Sequence, residues 1–413
     1  MDLATGCQAT LPLGLAAHRT YNFLPDEDQT LLKILCTATI ALTATSAPAL
    51  DDAHWHLANK AIEQGISYLR TTQKPNGSWS SEPGPAITAM AATVMLEHHA
   101  VPIDDFQVMR AINYILSQAQ EDGGIYNGFL ANYNTAICLT ALSHVNGRTD
   151  VALVVKKAQK FLIQLQWADQ TDPDGVAVGP SHPWFGGAGY GSHGRPDLSN
   201  TQIMLQGLRD SGIACDHPAF QRALVFIERC QSTASNDRFA YLLKQDGGFI
   251  YSTSIDKNHI GVPESKANPE MIDEAKQGRP VSGLRSYGSM TYAGFKSYLY
   301  ARLSQDDPRV VAARQWIGQN YTLDHNPGMP ENLQKHGLYY MYMAMGRALD
   351  AWGVTHITTS DGQSHDWEND LVAALVHRQH TDGSWVNNAD RWMEGDPNLV
   401  TCYALIALLS ATR

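Results

Sequence analysis

A short pattern of glutamine, glycine and tryptophan recurs at distant points of this chain. Gln-x-x-x-Gly-x-Trp spans residues 73–79 and 379–385, and a version that ends in tyrosine spans 120–126. Each copy lies between two apolar segments whose residues recur at helical spacing. A polar turn that repeats between helical segments predicts a chain built from stacked helix pairs, none of which can bury its apolar face alone.

Six such pairs follow one another from Trp55 onwards, at a period of roughly fifty residues. The second helix of each pair is apolar nearly all round, as in 401–409, whereas the first helices carry charge on one face, such as Lys156, Lys157 and Lys160. All-round apolarity indicates burial on every side. We therefore predict an all-α fold, an (α/α)6 toroid with six inner helices inside six outer ones. Its central cavity should lie at the N-terminal ends of the inner helices.

The chain divides into a leader and one domain. Residues 50–413 are expected to form the toroid, with a surface insertion at about 252–284 that is rich in proline and charge. Within the leader of residues 1–49, segment 31–49 has Lys33, an apolar stretch and a small-residue site at 47–49, as in a secretory signal. We expect an exported protein, periplasmic or extracellular, cleaved near Ala49, whose true start could lie near Leu31. A buried helix or an unstructured leader is the alternative.

Composition excludes several classes of function. The net charge of −11 disfavours nucleic acid as a partner, because phosphate binding needs clustered lysine and arginine. No apolar run reaches the roughly 18–20 residues that a transmembrane span requires, while association with a membrane surface is left open. The chain shows no metal-ligand spacing, phosphate-binding loop or nucleophile elbow, so we expect no metal and no cofactor.

The Gln-x-x-x-Gly-x-Trp turns resemble the repeat of squalene–hopene cyclases. The openings of the second helices, such as Asn134-Thr135 and Asn200-Thr201, resemble those of protein prenyltransferase β subunits. The resemblance covers about Trp55 to the C-terminus and implies a prenyltransferase and squalene oxidase repeat protein. It also implies that the partner is an apolar, isoprenoid-like small molecule held in the central cavity.

Two positions of this resemblance depart from the families' chemistry. Class II terpene cyclases open an inner helix with Asp-x-Asp-Asp-Thr, whose middle Asp protonates the substrate. The most similar segment here is 197–201, where Ser199 stands at the position of the proton donor and Asn200 at that of the last Asp. Val400 stands where the prenyltransferases carry a zinc-binding His. Both the acid motif and the zinc site are therefore degenerate.

Side chains just before and at the start of the inner helices should line the cavity. The candidate catalytic residues are Asp197, His193 and His336, although an N-cap role for Asp197 and a loop role for His336 are simpler interpretations. Glu394 belongs to the same rim. The candidate substrate-binding residues are polar and aromatic side chains of these loops: Trp184, Arg195, Asn200, Tyr287, Tyr292, Tyr339, Tyr340, Trp392 and Asp396.

The sequence leaves two hypotheses about function. The first is an enzyme that acts on an isoprenoid or similar apolar substrate through a rearranged acid site. The second is a non-catalytic exported toroid that binds an apolar ligand or a protein partner. Ser199, Asn200 and Val400 favour the second hypothesis, whereas the polar and aromatic rim favours the first, because an inert scaffold does not need it.

Overall fold

The computed structural model of the protein describes residues 50–191 and 194–413. The predicted signal segment and His193 therefore lie outside the described residues. The protein's helices are joined by loops, and its two strands, β1 (His356–Thr358) and β2 (Ser364–Asp366), form one antiparallel hairpin within the described part. The predicted all-α fold is confirmed.

Six inner helices form a closed ring. Each is buried along nearly its whole length, which explains why its sequence is apolar on all sides. Each inner helix contacts the next one in the chain, and the last contacts the first, so the ring closes. The inner helices are α2 (Ala86–Glu97), α4 (Ala131–Ser143), α6 (Leu198–Asp210), α9 (Gly288–Tyr300), α11 (Leu338–Trp352) and α13 (Pro397–Ala411).

Six outer helices surround this ring and expose one face to solvent. Five of the six start at a residue whose side chain caps the helix: Asp307, for example, accepts a hydrogen bond from the Arg309 backbone N–H, and Pro308 occupies the first helical position. The predicted (α/α)6 toroid is thus confirmed. The outer helices are α1 (Asp52–Thr72), α3 (Phe106–Ser117), α5 (Thr149–Leu165), α7 (Pro218–Cys230), α10 (Pro308–Gln319) and α12 (Trp367–Arg378).

The glutamine of the recurring turn joins one helix pair to the next. The side-chain amide of Gln379 donates to the carbonyl of Ala61 on α1, at 2.9 Å, and to that of Gly383 in its own turn. The Trp385 indole N–H donates to the Leu375 carbonyl on α12 at 2.8 Å. Because Gln379 follows the last outer helix and Ala61 lies on the first, this turn closes the outer ring.

A threonine at the start of the inner helices holds the same turn from the other side. The Thr401 hydroxyl accepts a hydrogen bond from the backbone N–H of Trp385 at 3.1 Å. The Thr135 hydroxyl accepts one from the backbone N–H of Ile125 at 2.8 Å. Ile125 therefore occupies the tryptophan position in the second repeat. Tyr126, which the sequence pattern placed there, instead donates its hydroxyl hydrogen to Asp122.

The segment expected as a surface insertion is packed more closely than its composition suggests. It contains the short helix α8 (Pro269–Lys276), and Ser252, Thr253 and Glu264 within it are buried. The Ser252 hydroxyl donates to the Pro196 carbonyl at 2.7 Å, just before the start of α6. This contact brings the segment against the N-terminal ends of the inner helices.

Buried charges tie the opposite, C-terminal ends of the inner helices together. Glu97 at the end of α2 forms ion pairs with Arg347 of α11 at 2.9 Å and with Arg413, beyond α13, at 3.0 Å. Glu97 and Arg347 side chains are each only 8% exposed. A pair this buried is costly to break on one side only, because the remaining charge loses its partner.

Substitution of Gly383 tests the close approach of the turn to the next repeat. Its φ is +90°, and an added Cβ would lie 2.3 Å from the Gln64 carbonyl oxygen on α1. Gly362, at φ +82° with no atom within 4 Å of the added Cβ, is a matched control. Gly362→Ala should cost about 1 kcal/mol for its backbone conformation. Gly383→Ala should cost a further 1–3 kcal/mol or so, since the backbones must separate. Denaturant unfolding of both variants measures this difference, and equal losses would contradict the close-approach argument.

Candidate functional site

A cavity of about 210 Å³ lies at the N-terminal ends of the inner helices. All six of these helices contribute to its wall from their first two turns. Since the ring directs every inner helix N-terminus at this place, the fold itself brings these residues together. One lining residue from each inner helix in turn is Ala86, Tyr133, Ser199, Ser289, Tyr340 and Leu399.

Tyrosines make up much of the wall. The hydroxyls of Tyr133 and Tyr403 lie 3.2 Å apart, and the Tyr340 hydroxyl lies 2.8 Å from the Ser199 hydroxyl. Burial raises the pKa of Tyr133 to about 12, so its phenol stays protonated and can donate a hydrogen bond to a ligand. The six lining tyrosines are Tyr133, Tyr190, Tyr251, Tyr287, Tyr340 and Tyr403.

Glu394 supplies the carboxyl group of the cavity, the single one among the described residues that line it. It is 1% exposed. Its carboxyl oxygens accept hydrogen bonds from the Tyr340 backbone N–H at 2.8 Å and from the Asn387 side-chain amide at 2.6 Å. Burial raises the pKa of Glu394 to about 7, although both hydrogen bonds oppose this by favouring the ionised form. Glu394 can thus gain or lose a proton near neutral pH.

Two cationic side chains, Lys266 and Arg195, lie next to another lining residue, Tyr251. The Lys266 ammonium lies 4.7 Å from the centre of the Tyr251 ring, and the Arg195 guanidinium lies 5.2 Å from it. Both cations form ion pairs with the buried carboxylate of Glu264, that of Arg195 at 2.7 Å. Lys266 and Tyr251 line the cavity, whereas Arg195 does not and contacts the Tyr251 ring.

Asp197 is buried and caps α6. Its carboxylate accepts the Asn200 backbone N–H at 2.8 Å and the Asn200 side-chain amide at 2.9 Å. Burial raises the pKa of Asp197, while Arg195, Asn200 and Tyr251 act against the increase. Neither Asp197 nor Asn200 belongs to the cavity wall. This geometry gives Asp197 the structural role of an N-cap, and its catalytic role stays a prediction.

Four residues predicted at the rim line the cavity: Tyr287, Tyr340, Trp392 and Glu394. His336 lies beside them without belonging to the wall, with its ring edge-on to Trp392 at 6.2 Å. Burial lowers the pKa of His336, and the nearby positive charge of Arg391 lowers it further.

The remaining predicted residues lie elsewhere. Trp184 is fully buried in a separate small cluster with Trp167, and its indole N–H donates to the Ser254 hydroxyl. Tyr339 packs edge-on against Tyr342 in the main core, where Tyr292 is also buried. Asp396 caps α13 by accepting the Asn398 N–H at 2.8 Å. Their proposed roles in substrate binding remain untested.

Several lining residues were not among the sequence candidates. Tyr403 lies one and a half turns into α13, further along its helix than the rim considered. Tyr251 and Lys266 belong to a segment that has no helical period, so no pattern assigned them to the cavity. The Asn134-Thr135 opening noted in the sequence could have pointed to Tyr133, which directly precedes it.

Neither a metal centre nor a membrane span occurs in the described part of the chain. Within residues 50–191 and 194–413, no three His, Cys, Asp or Glu side chains gather as metal ligands would. The helices described there are also too short or too polar to cross a membrane.

Comparison with known proteins places the fold among α/α toroids. No family model and no curated protein matches the chain. Among solved structures, D-mannose isomerase has a TM-score of 0.54 at 12% identity, covering 88% of this chain and 98% of its own. The type II terpene cyclase MstE from Scytonema, in complex with its substrate geranylgeranyl dihydroxybenzoate, has 0.52 at 11%, covering 87% and 99%. An α-1,6-mannanase of Salegentibacter has 0.52 at 11%, covering 87% and 98%. At such low identity these similarities establish the fold alone.

The raised pKa of Glu394 predicts a pH-dependent stability. Since the folded protein holds this proton up to about pH 7 while an unfolded glutamate releases it near 4.5, stability falls as pH rises between these values. Glu394→Gln removes this dependence. Relative to wild type, its free energy of unfolding should therefore increase by up to about 3 kcal/mol across that range.

Denaturant unfolding at several pH values measures this difference. Glu121→Gln, at an exposed position, is the control and should track wild type at every pH. A constant offset between Glu394→Gln and wild type would mean that Glu394 does not hold a proton in this range.

Proposed function

We propose that the protein is an enzyme that binds an isoprenoid-like, largely apolar molecule with a polar end in the central cavity and acts on it. The tyrosine-lined cavity at the converging helix ends is the observation that carries this proposal. Aromatic walls suit a greasy ligand, while a few polar groups fix its orientation.

The electrostatics of the cavity support a polar end that carries oxygen. Six helix N-termini point at it, each with a partial positive charge, and Lys266, which shares the Glu264 carboxylate with Arg195, adds further positive charge. Phenol O–H groups add further hydrogen-bond donors. The substrate of MstE, geranylgeranyl dihydroxybenzoate, joins an isoprenoid chain to such an end, which is consistent with a related ligand class here.

The proposed reaction is not alkene protonation of the class II kind. Ser199 lines the cavity where the resemblance expects the acid, and a hydroxyl is far too weak an acid for that step. Asp197 caps a helix outside the wall. We infer that the enzyme uses other chemistry on a similar ligand.

A non-catalytic toroid that only binds an apolar ligand or a protein partner is the second candidate. The bonding of Asp197 to Asn200 favours it, because that pair serves the fold without reaching the cavity. Product analysis separates the two candidates, since a binding protein returns its ligand unchanged.

We also propose export and contact with a membrane surface. The leader at 31–49 supports export. Tyr190, Trp392 and Met393 line the cavity and are each 40–45% exposed, so an apolar ligand could enter there from a lipid surface.

A bulky side chain inside the cavity should weaken ligand binding. Ala86 lines the wall at the start of α2, so Ala86→Phe should reduce binding of geranylgeraniol at least about tenfold, which corresponds to 1.4 kcal/mol. Ala53→Phe, on the exposed start of α1, should bind like wild type. Titration followed by tyrosine and tryptophan fluorescence measures the affinities, with D-mannose as the competing ligand class.

Two results would contradict the proposal. If D-mannose binds and geranylgeraniol does not, the cavity serves a sugar. If Ala86→Phe binds geranylgeraniol as wild type does, the ligand lies outside this cavity.

Lys266 should select ligands with an acidic end. Geranylgeranic acid should bind wild type more tightly than geranylgeraniol, and Lys266→Met should remove most of that preference while leaving the alcohol's affinity within a few-fold. The expected change is about 1 kcal/mol, the upper end of what a solvent-exposed ion pair contributes. Lys244→Met, at an exposed position, is the control. An unchanged preference in Lys266→Met would place the polar end elsewhere.

A further inference from the structure

We propose that Glu394 is the general base of the cavity, and that it takes a proton from the carbon next to a carbonyl group of the bound substrate and returns it. This inference rests on the proposed function and specifies the reaction that the enzyme would catalyse. It would make the protein an isomerising or exchanging enzyme for isoprenoid-like carbonyl compounds.

The arrangement of donors and acceptors around Glu394 carries the inference. Among the described residues that line the cavity, the tyrosine hydroxyls and the Lys266 ammonium are hydrogen-bond donors, and Glu394 has the carboxyl group. The Glu394 oxygens accept hydrogen bonds from the Tyr340 N–H and from the Asn387 amide, and the backbone N–H groups of Leu338 and Tyr339 also favour the ionised carboxyl. A carboxylate has about four lone-pair sites, so the sites not filled by the two hydrogen bonds can accept a substrate proton.

Its two hydrogen bonds also fix the position of this carboxyl. The Tyr340 N–H belongs to the first turn of α11, and Asn387 also donates to the Lys335 carbonyl at 2.8 Å. Both partners are donors, so neither can accept the carboxyl proton. A proton taken from the substrate therefore either exchanges with solvent, through the side of the cavity where Tyr190, Trp392 and Met393 are partly exposed, or returns to the substrate.

The negative charge that the reaction creates on the substrate can be stabilised by other residues of the cavity wall. Removal of a proton next to a carbonyl group leaves negative charge on the carbonyl oxygen as an enolate. Phenol O–H groups, the Lys266 ammonium and the inner helix N-termini belong to the same wall, and such groups stabilise negative charge.

The step balances without a co-reactant. The C–H bond breaks, its electron pair forms the enolate C=C bond, and the proton passes to a Glu394 oxygen. Return of the proton to the same carbon, or to the far end of a conjugated chain, regenerates the carboxylate and gives either the original ketone or its isomer.

Other titratable groups face the same space. Lys266 and six tyrosines share the cavity wall, and Tyr339 and Tyr342 on α11 are affected by the charge of Glu394. His336 and Arg391 lie beside the Trp392 ring. Burial raises the pKa of tyrosines such as Tyr133 and Tyr339, so these phenols stay protonated near neutral pH, where Glu394 titrates.

Deuterium exchange into geranylacetone, a methyl ketone with an isoprenoid chain, tests the proposal. Full-length protein and ketone are incubated in D₂O, and mass spectrometry follows deuterium uptake above the protein-free rate. Wild type should catalyse uptake, and Glu394→Gln should lose it by about 100-fold or more. The wild-type rate should rise with pH and level off above about 7, because the ionised carboxylate is the active form. Glu331→Gln, at an exposed position, should behave as wild type.

Binding of geranylacetone, measured by fluorescence in the same samples, separates the possible failures. Bound ketone without uptake in wild type overturns the role of Glu394 and leaves the proposed function standing. Absence of binding contradicts both. Equal uptake in wild type and a folded Glu394→Gln variant assigns the base elsewhere. If Glu394→Gln does not fold, Glu394→Asp and the wild-type pH profile decide: a flat profile overturns the proposal, and partial uptake by Glu394→Asp supports it.

Discussion

The toroid depends on the close approach of each polar turn to the next outer helix. At Gly77 and Gly383 the φ angles are +91° and +90°, and the absent Cβ leaves room for a carbonyl oxygen of the neighbouring repeat. Gln73 donates to the Gln107 carbonyl on α3, as Gln379 does to Ala61 on α1. Each of these hydrogen bonds helps to set the angle between two neighbouring helix pairs. After six pairs the ring is closed.

Closure of the ring has an electrostatic consequence. Every inner helix begins at the same place, and the first backbone N–H groups of a helix have no partner within it. Asp197 and Asp396 satisfy some of them as N-caps, while Glu394 does so for α11 from outside the helix. One carboxyl thus serves the fold and faces the cavity. Burial and helix N–H groups act on its pKa in opposite directions, which leaves it near neutrality.

The architecture could be predicted from the sequence because it rests on periodicity. Apolar helices, polar turns and their spacing are local features, and they sufficed for twelve helices in two rings. The cavity wall was only partly predictable, because successive helical residues differ by about 100° in direction. Tyr339 and Tyr340 were both candidates, yet Tyr340 faces the cavity and Tyr339 packs against Tyr342. Lys266 lies in a segment without a period, so only its tertiary contacts bring it there.

Ser199 and Glu394 are connected through one residue. The Tyr340 hydroxyl lies 2.8 Å from the Ser199 hydroxyl. The backbone N–H of Tyr340 donates a hydrogen bond to the Glu394 carboxyl, also at 2.8 Å. An aspartate at position 199 would place a second carboxylate in this cavity, and like charges raise each other's pKa and hinder joint ionisation. A neutral Ser199 leaves Glu394 free to ionise near neutral pH. The serine that suggests a lost activity in the sequence is therefore compatible with base chemistry in the structure, where a second acid would interfere.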